Sequence, residues 1–213
     1  MTYVKASVRR PAGNPGNGIQ PKDQLVIYDV DDILSFPPRN EAGVVIEEDI
    51  VMKAGRYAIS IYLTPGTAEI SSNSDGETDA EGYTPSVKFN HPGNEQEIRE
   101  FKTNWLSKKC IVVLRYCSGK PADLIGTPCN PCKLSVSYTG SNESNTNELT
   151  FTQISKGDDI AIYRGTDTLE EPVAVVEAEA TDIDYQTDGQ YQLSAGAAKI
   201  AGVTGGSHGS VIT

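Results

Sequence analysis

The sequence predicts a mainly β fold: an antiparallel β-barrel or sandwich with one amphipathic α-helix packed on it, plus extended arms. Three observations carry that expectation. Short apolar segments, alternating or continuous, recur along the chain and are separated by turn-forming residues. A single stretch, 94–109, has helical spacing. Finally, 20 glycines and 12 prolines beside a hydrophobic share of 38% leave much of the chain for exposed connections, which a helix bundle would not need.

Taken in order, residues 1–22 interleave Pro11, Pro15 and Pro21 with Gly and Asn, behind Lys5, Arg9 and Arg10. Such a segment cannot bury a core alone; it is either disordered or an arm that folds onto a neighbour. Residues 25–30 read as a first strand, and 44–52 and 57–63 as a second and third joined by a hairpin turn at 53–56. In the third, Tyr57, Ile59, Ile61 and Leu63 share a face opposite Ala58, Ser60 and Tyr62. Residues 67–82 form a polar, acidic loop, too long for a simple turn. Strand character resumes at 83–89, where Pro85 demotes the strand to an edge.

The helix has signals at both ends. His91-Pro92-Gly93 breaks the preceding structure, and Asn94 as N-cap with Glu97 three residues on reads as a capping box. Ile98, Phe101, Trp105 and Leu106 make one apolar stripe, the expected packing face. Glu95, Glu97 and Glu100 at the start and Lys108 and Lys109 at the end suit the helix dipole. The stripe is expected to plug the open side of the barrel.

After the helix, 111–117 reads as a buried strand. Leu134, Val136 and Tyr138 alternate with polar residues, as do Leu149, Phe151 and Gln153, around a flexible polar loop at 140–147. Residues 159–163 and 172–177 add further strands, closing a domain drawn from 23 to 193. The Gly- and Ala-rich residues 194–213 read as a flexible tail.

The net charge of −11 argues against a surface that grips nucleic acid or an anionic membrane. It leaves open solubility alone, or a surface past which DNA slides without sticking. Residues 1–10 contain no apolar core of a secretory signal and no later stretch could span a bilayer, so synthesis in a cytoplasm is expected.

The search for chemistry is short. Cys129 and Cys132 have the spacing of a zinc knuckle, but Cys110 and Cys117 flank a strand seven positions apart and face opposite sides. Reduced, mostly buried thiols follow, with no metal and no cofactor. His91 and His208 lie near no nucleophile signature, and no phosphate-binding glycine loop exists. Asp29, Asp31 and Asp32 lack the remainder of a calcium loop and read as a solvated strand end. No catalytic set emerges, and the chain is expected not to be an enzyme. Between Glu170 and Asp188 there is no Lys or Arg; Glu177 and Glu179 share a strand face, with Asp182 and Asp184 beyond them. That face is either solvated or a functional acidic lining.

One helix amid antiparallel strands, a long loop after an early hairpin, and Pro- and Gly-rich termini together resemble the tail-tube (major tail) proteins of tailed bacteriophages and related contractile injection systems. The late block 149–153 with 160–165 is similar to a virion-protein strand pair. The resemblance implies a virion structural protein made in the host cytoplasm. Its subunits self-assemble into rings, usually hexameric, that stack into a tube and meet other virion tail proteins. Six copies at −11 give roughly sixty negative charges per ring, and an acidic lumen would let DNA pass transiently. Glu177, Glu179, Asp182 and Asp184 are then the lumen candidates; Glu69, Asp75, Glu77 and Asp79 mark the inter-ring loop. The alternatives are a collar or capsid-decoration protein, and a β-sandwich module binding carbohydrate or another ligand through Tyr62, Tyr116 and Trp105. A zinc-bound domain on Cys129 and Cys132 is a third.

Overall fold

The structure is a computed structural model that describes residues 6–117 and 119–169, and beyond them the backbone of four short strands. Its elements are β1 (Pro21–Asp29), β2 (Ile33–Ser35), β3 (Val45–Ile46), β4 (Val51–Met52), β5 (Ile59–Tyr62), β6 (Glu69–Asp75) and β7 (Gly82–Pro92). After these come α1 (Gln96–Trp105), β8 (Cys110–Tyr116), β9 (Ala122–Ile125), β10 (Cys132–Gly140), β11 (Asn145–Gln153) and β12 (Ala161–Tyr163). Among the described residues the chain is mainly β with one α-helix, as expected.

β1 and β8 are the wall of the molecule. They pair antiparallel, with Leu25 opposite Leu114 and Ile27 opposite Val112. Both strands are continuous apolar runs because both faces are buried. Leu25, Ile27, Val112 and Leu114 face a first core, which also takes Val87, Phe89, Leu149 and Phe151. Val26, Tyr28, Ile111 and Val113 face a second core with Ile46, Leu124 and Tyr163. Each such side chain contributes about 1.5–3 kcal/mol by leaving water, so this wall anchors both halves.

Around the first core the pairings trace a ring. β8 meets β10 at one rung, β10 pairs β11, β11 pairs β7, and β5 pairs β1, which returns to β8. Between β5 and β7 the ring is joined by the Thr64 amide donating to Asn90 O at 2.8 Å, with His91 Nδ1 2.9 Å from Tyr62 O. Among the described residues β6 pairs only with β7 and forms an edge of the sheet. β9, β12 and β3 extend the sheet around the second core, with β12 and β3 parallel.

The second core is closed by residues 164–169 through polar contacts. The buried Asp167 carboxylate accepts from the Tyr28 hydroxyl at 2.6 Å and pairs with Arg115 Nε. Arg115 also donates to Gly165 O at 2.7 Å and lies over the Tyr163 ring. The neighbouring carboxylate raises the Arg115 guanidinium further, while burial and Asp167 push the Tyr28 hydroxyl well above the usual tyrosine range.

Several elements differ from the sequence expectation. The expected second strand is broken into β3 and β4, and no hairpin joins it to the third. β4 pairs β2, while β5 pairs β1, because the doubly buried β1 needs a neighbour on each side. Residues 69–75, expected within a loop, form β6; an edge strand with a solvated face needs little apolar alternation, and Ile70 supplies it. Pro85 does not mark an edge, since β7 lies between β6 and β11. The Tyr83 amide donates to Gly157 O on the β11 side, so two residues on Pro85 turns its missing N–H to that same side. There pairing with β11 reaches only as far as Ser86. The loop expected at 140–147 is a tight turn at 141–144.

The chain divides into two compact units, Met1–Leu169 and Glu170–Thr213, so a boundary falls inside the stretch 23–193 drawn as one domain. In the second unit β13 (Ala174–Val176) pairs parallel with β15 (Tyr191–Leu193), and β14 (Asp182–Asp184) parallel with β16 (Gly202–Thr204). β16 therefore places a strand in the expected tail.

Candidate assembly surfaces

Two surfaces of the first unit hold most of the residues singled out by sequence: the helix over the ring, and the β6–β7 hairpin.

The helix starts one residue later than the capping box requires. Glu95 is the N-cap, without a side-chain cap bond, and Asn94 lies outside it. Asn94 Oδ1 accepts instead from Lys102 Nζ at 3.2 Å. Ile98 is 5% exposed, and Phe101 and Trp105, stacked at 5.8 Å, pack partly buried on the first core. Leu106 does not pack; it is 55% exposed at the C-cap. At about 100° per residue, Phe101 and Trp105 fall near the angle of Ile98, while Leu106 falls about 80° to the other side. Lys108 and Lys109 lie past the helix end, where Lys108 Nζ pairs at 2.7 Å with Asp29.

Asn147 sets the position of the helix. It is fully buried, its Oδ1 accepts from Lys102 Nζ at 2.7 Å, and its Nδ2 donates to Gly93 O at 2.6 Å. Lys102 Nζ also lies 5.1 Å from the centroid of the Tyr138 ring. Sequence reading missed Asn147 by assigning it to a flexible loop. The alternation of Leu149, Phe151 and Gln153, carried back two residues, reaches it. Between the helix and the β5–β7 seam lies a cleft of about 310 Å³ lined by Tyr62, His91, Pro92, Glu95, Ile98 and Phe101 among others.

On the hairpin, Glu69 faces Lys88 across the strands at 3.5 Å, and Asp75 pairs with Lys156 at 3.1 Å, which lowers the Asp75 carboxyl. Glu77 and Asp79 stand exposed at the tip, Asp79 with φ +71°. The four acids thus divide: two are tied within the chain, and two project. Of the lumen candidates, Glu177 and Glu179 lie outside the described residues. For Asp182 and Asp184 the backbone of β14 alone is described.

The four thiols are free; Cys110 and Cys132 are buried, Cys117 and Cys129 exposed, so half of the expected burial holds. Among the described residues, no three His, Cys, Asp or Glu side chains converge to hold a metal ion. The Asp29–Asp32 turn is occupied otherwise: Asp29 accepts from the Asp31 amide and from Lys108, and Asp32 pairs with Arg56 at 3.5 Å. Of the aromatic platform, Tyr62 is exposed, but Tyr116 donates to Asp123 and Trp105 packs on Phe101.

Family models, curated proteins and solved structures return no match to this chain. Among the described residues, no helix is long and apolar enough to cross a membrane.

Proposed function

We propose that this chain is a virion structural protein that self-assembles into stacked rings of a phage tail tube. The support is the open edge of β6. Its outer side leaves a row of backbone N–H and C=O groups without strand partners among the described residues. Isolated domains blunt such edges with Lys, Pro or bulges, and the sequence EISSNSD of β6 contains neither Lys nor Pro. Residues 6–18 stand exposed outside both cores, without strand or helix, and carry Arg9 and Arg10. An open edge, an acidic hairpin tip and an unpacked basic arm suit contacts between copies. In this reading the chain works through assembly, not catalysis; its partners are itself and other tail proteins, and its acidic surface lets DNA pass.

The test is a concentration series of the full chain by analytical ultracentrifugation with negative-stain imaging. Rings or stacked rings are expected, and deletion of residues 1–18 should release folded monomers, since residues 6–18 add nothing to either core. A full chain that stays strictly monomeric at high concentration would sink the proposal.

A further inference from the structure

Cys110 on β8 and Cys132 on β10 are register partners, at the one rung by which those strands pair. They are 1% and 0% exposed. Directly opposed residues of antiparallel strands put their side chains on one face, with Cα atoms about 4.5–5.5 Å apart. Disulfides span Cα separations of about 4.4–6.8 Å. Cys110 Sγ already lies 3.5 Å from Cys132 O. Gly126, at φ +92°, keeps the space beside the pair empty: a Cβ there would sit 3.1 Å from Cys132 Sγ and 3.4 Å from Cys110 O.

We propose that Cys110 and Cys132 form a cross-strand disulfide site that fastens the ring around the first core at the single rung joining β8 to β10, once the protein meets an oxidising medium. The inference is independent of the assembly reading. The oxidant is a small-molecule disulfide such as oxidised glutathione. One cysteine thiolate attacks it, forms a mixed disulfide and releases one glutathione thiolate. The second thiolate attacks the mixed disulfide at the protein sulfur, forms the Cys110–Cys132 bond and releases the second. Two protein thiols thereby lose two electrons and two protons, and oxidised glutathione takes them up as two thiols. Burial pushes the Cys110 thiol up to about 12 and raises Cys132 as well, so the reaction waits on opening of the β8–β10 junction. The exposed Cys117 and Cys129 are the competing sites.

The experiment incubates the full chain in oxidising glutathione buffer, once under native conditions and once during refolding from urea. Expected are a mass lower by two hydrogens, a peptide map joining residues 110 and 132, and denatured thiols falling from four to two. Tm should rise by about 5 °C or more. The Cys117→Ser/Cys129→Ser double variant should behave alike, and Cys132→Ser should lose the mass change. Four thiols surviving both incubations, glutathione adducts alone, or a link through Cys117 or Cys129 overturns the site. A 110–132 link that leaves Tm unchanged or lower overturns its fastening role.

Discussion

The first core is closed from outside by a helix that lays Ile98, Phe101 and Trp105 upon it. The second is closed by residues 164–169, held by a carboxylate between a tyrosine and an arginine and by Thr166 bonded to Asp49. The first closure is apolar and spread over several side chains. The second is mainly polar, and its buried ion pair is at Asp167. Spread apolar contacts lose stability in increments as they are trimmed, whereas a buried charge left without its partner costs everything at one position. One wall, β1 with β8, therefore serves two closures that should fail differently.

The largest expected effect is at Asp167. Asp167→Ala leaves the Arg115 guanidinium and the Tyr28 hydroxyl without their acceptor, and should cost about 3 kcal/mol or more. Urea unfolding measures it. A loss under about 1 kcal/mol, in the range of an exposed ion pair, would show that the second core does not depend on this contact. Removing both ion partners, Asp167→Ala with Arg115→Met, should recover part of the loss, because the unpaired charge goes with them.

On the other side of the wall, Ile98→Ala should cost about 2–4 kcal/mol as a buried large-to-small change. Leu106→Ala should stay within about 0.5 kcal/mol. Equal losses at the two positions would mean that the helix packs through the wider stripe after all. Asn147→Ala should fall between these, at about 1–3 kcal/mol, since it strips acceptor and donor from Lys102 and Gly93 O in a buried place. If it matches Leu106→Ala, the helix is positioned by its apolar stripe alone.

The contrast between the closures is also a contrast in legibility. The helix and the wall were readable because periodicity and apolar runs are local: residues 94–109 and 111–117 announce themselves within one window. Leu106 failed because a helix ending at Trp105 cannot carry the stripe further round. The Asp167 latch was unreadable: it joins Tyr28 to a residue 139 positions away, and nothing near either residue marks the pairing. β6 was missed because an edge strand shows its pattern through its neighbour, in pairs such as Ser71 with Ser86 and Glu69 with Lys88. The candidate site divides likewise. The packing residues Ile98, Phe101 and Trp105 could be read from spacing, but whether an acid is tied or projects, as Asp75 and Glu77 differ, depends on a lysine far along the chain.

The smallest effect concerns a charged group on the apolar side of the wall. Asp123 lies opposite Leu114, on the first-core face of β9, and accepts from the Tyr116 hydroxyl. Burial raises its carboxyl above the ordinary value of 3.8; the Tyr116 bond opposes the rise, and the charge of Asp159 adds to it. The folded state therefore keeps this proton at a pH where the unfolded chain has already released it. The stability it contributes is complete below the unfolded value and declines as pH rises through the raised one. Urea midpoints taken at closely spaced pH values upward from 3.8 should show that decline in the wild type, and Asp123→Asn should flatten it. A variant profile parallel to the wild type would place the acid-range slope elsewhere and leave the apolar closure without a titrating member.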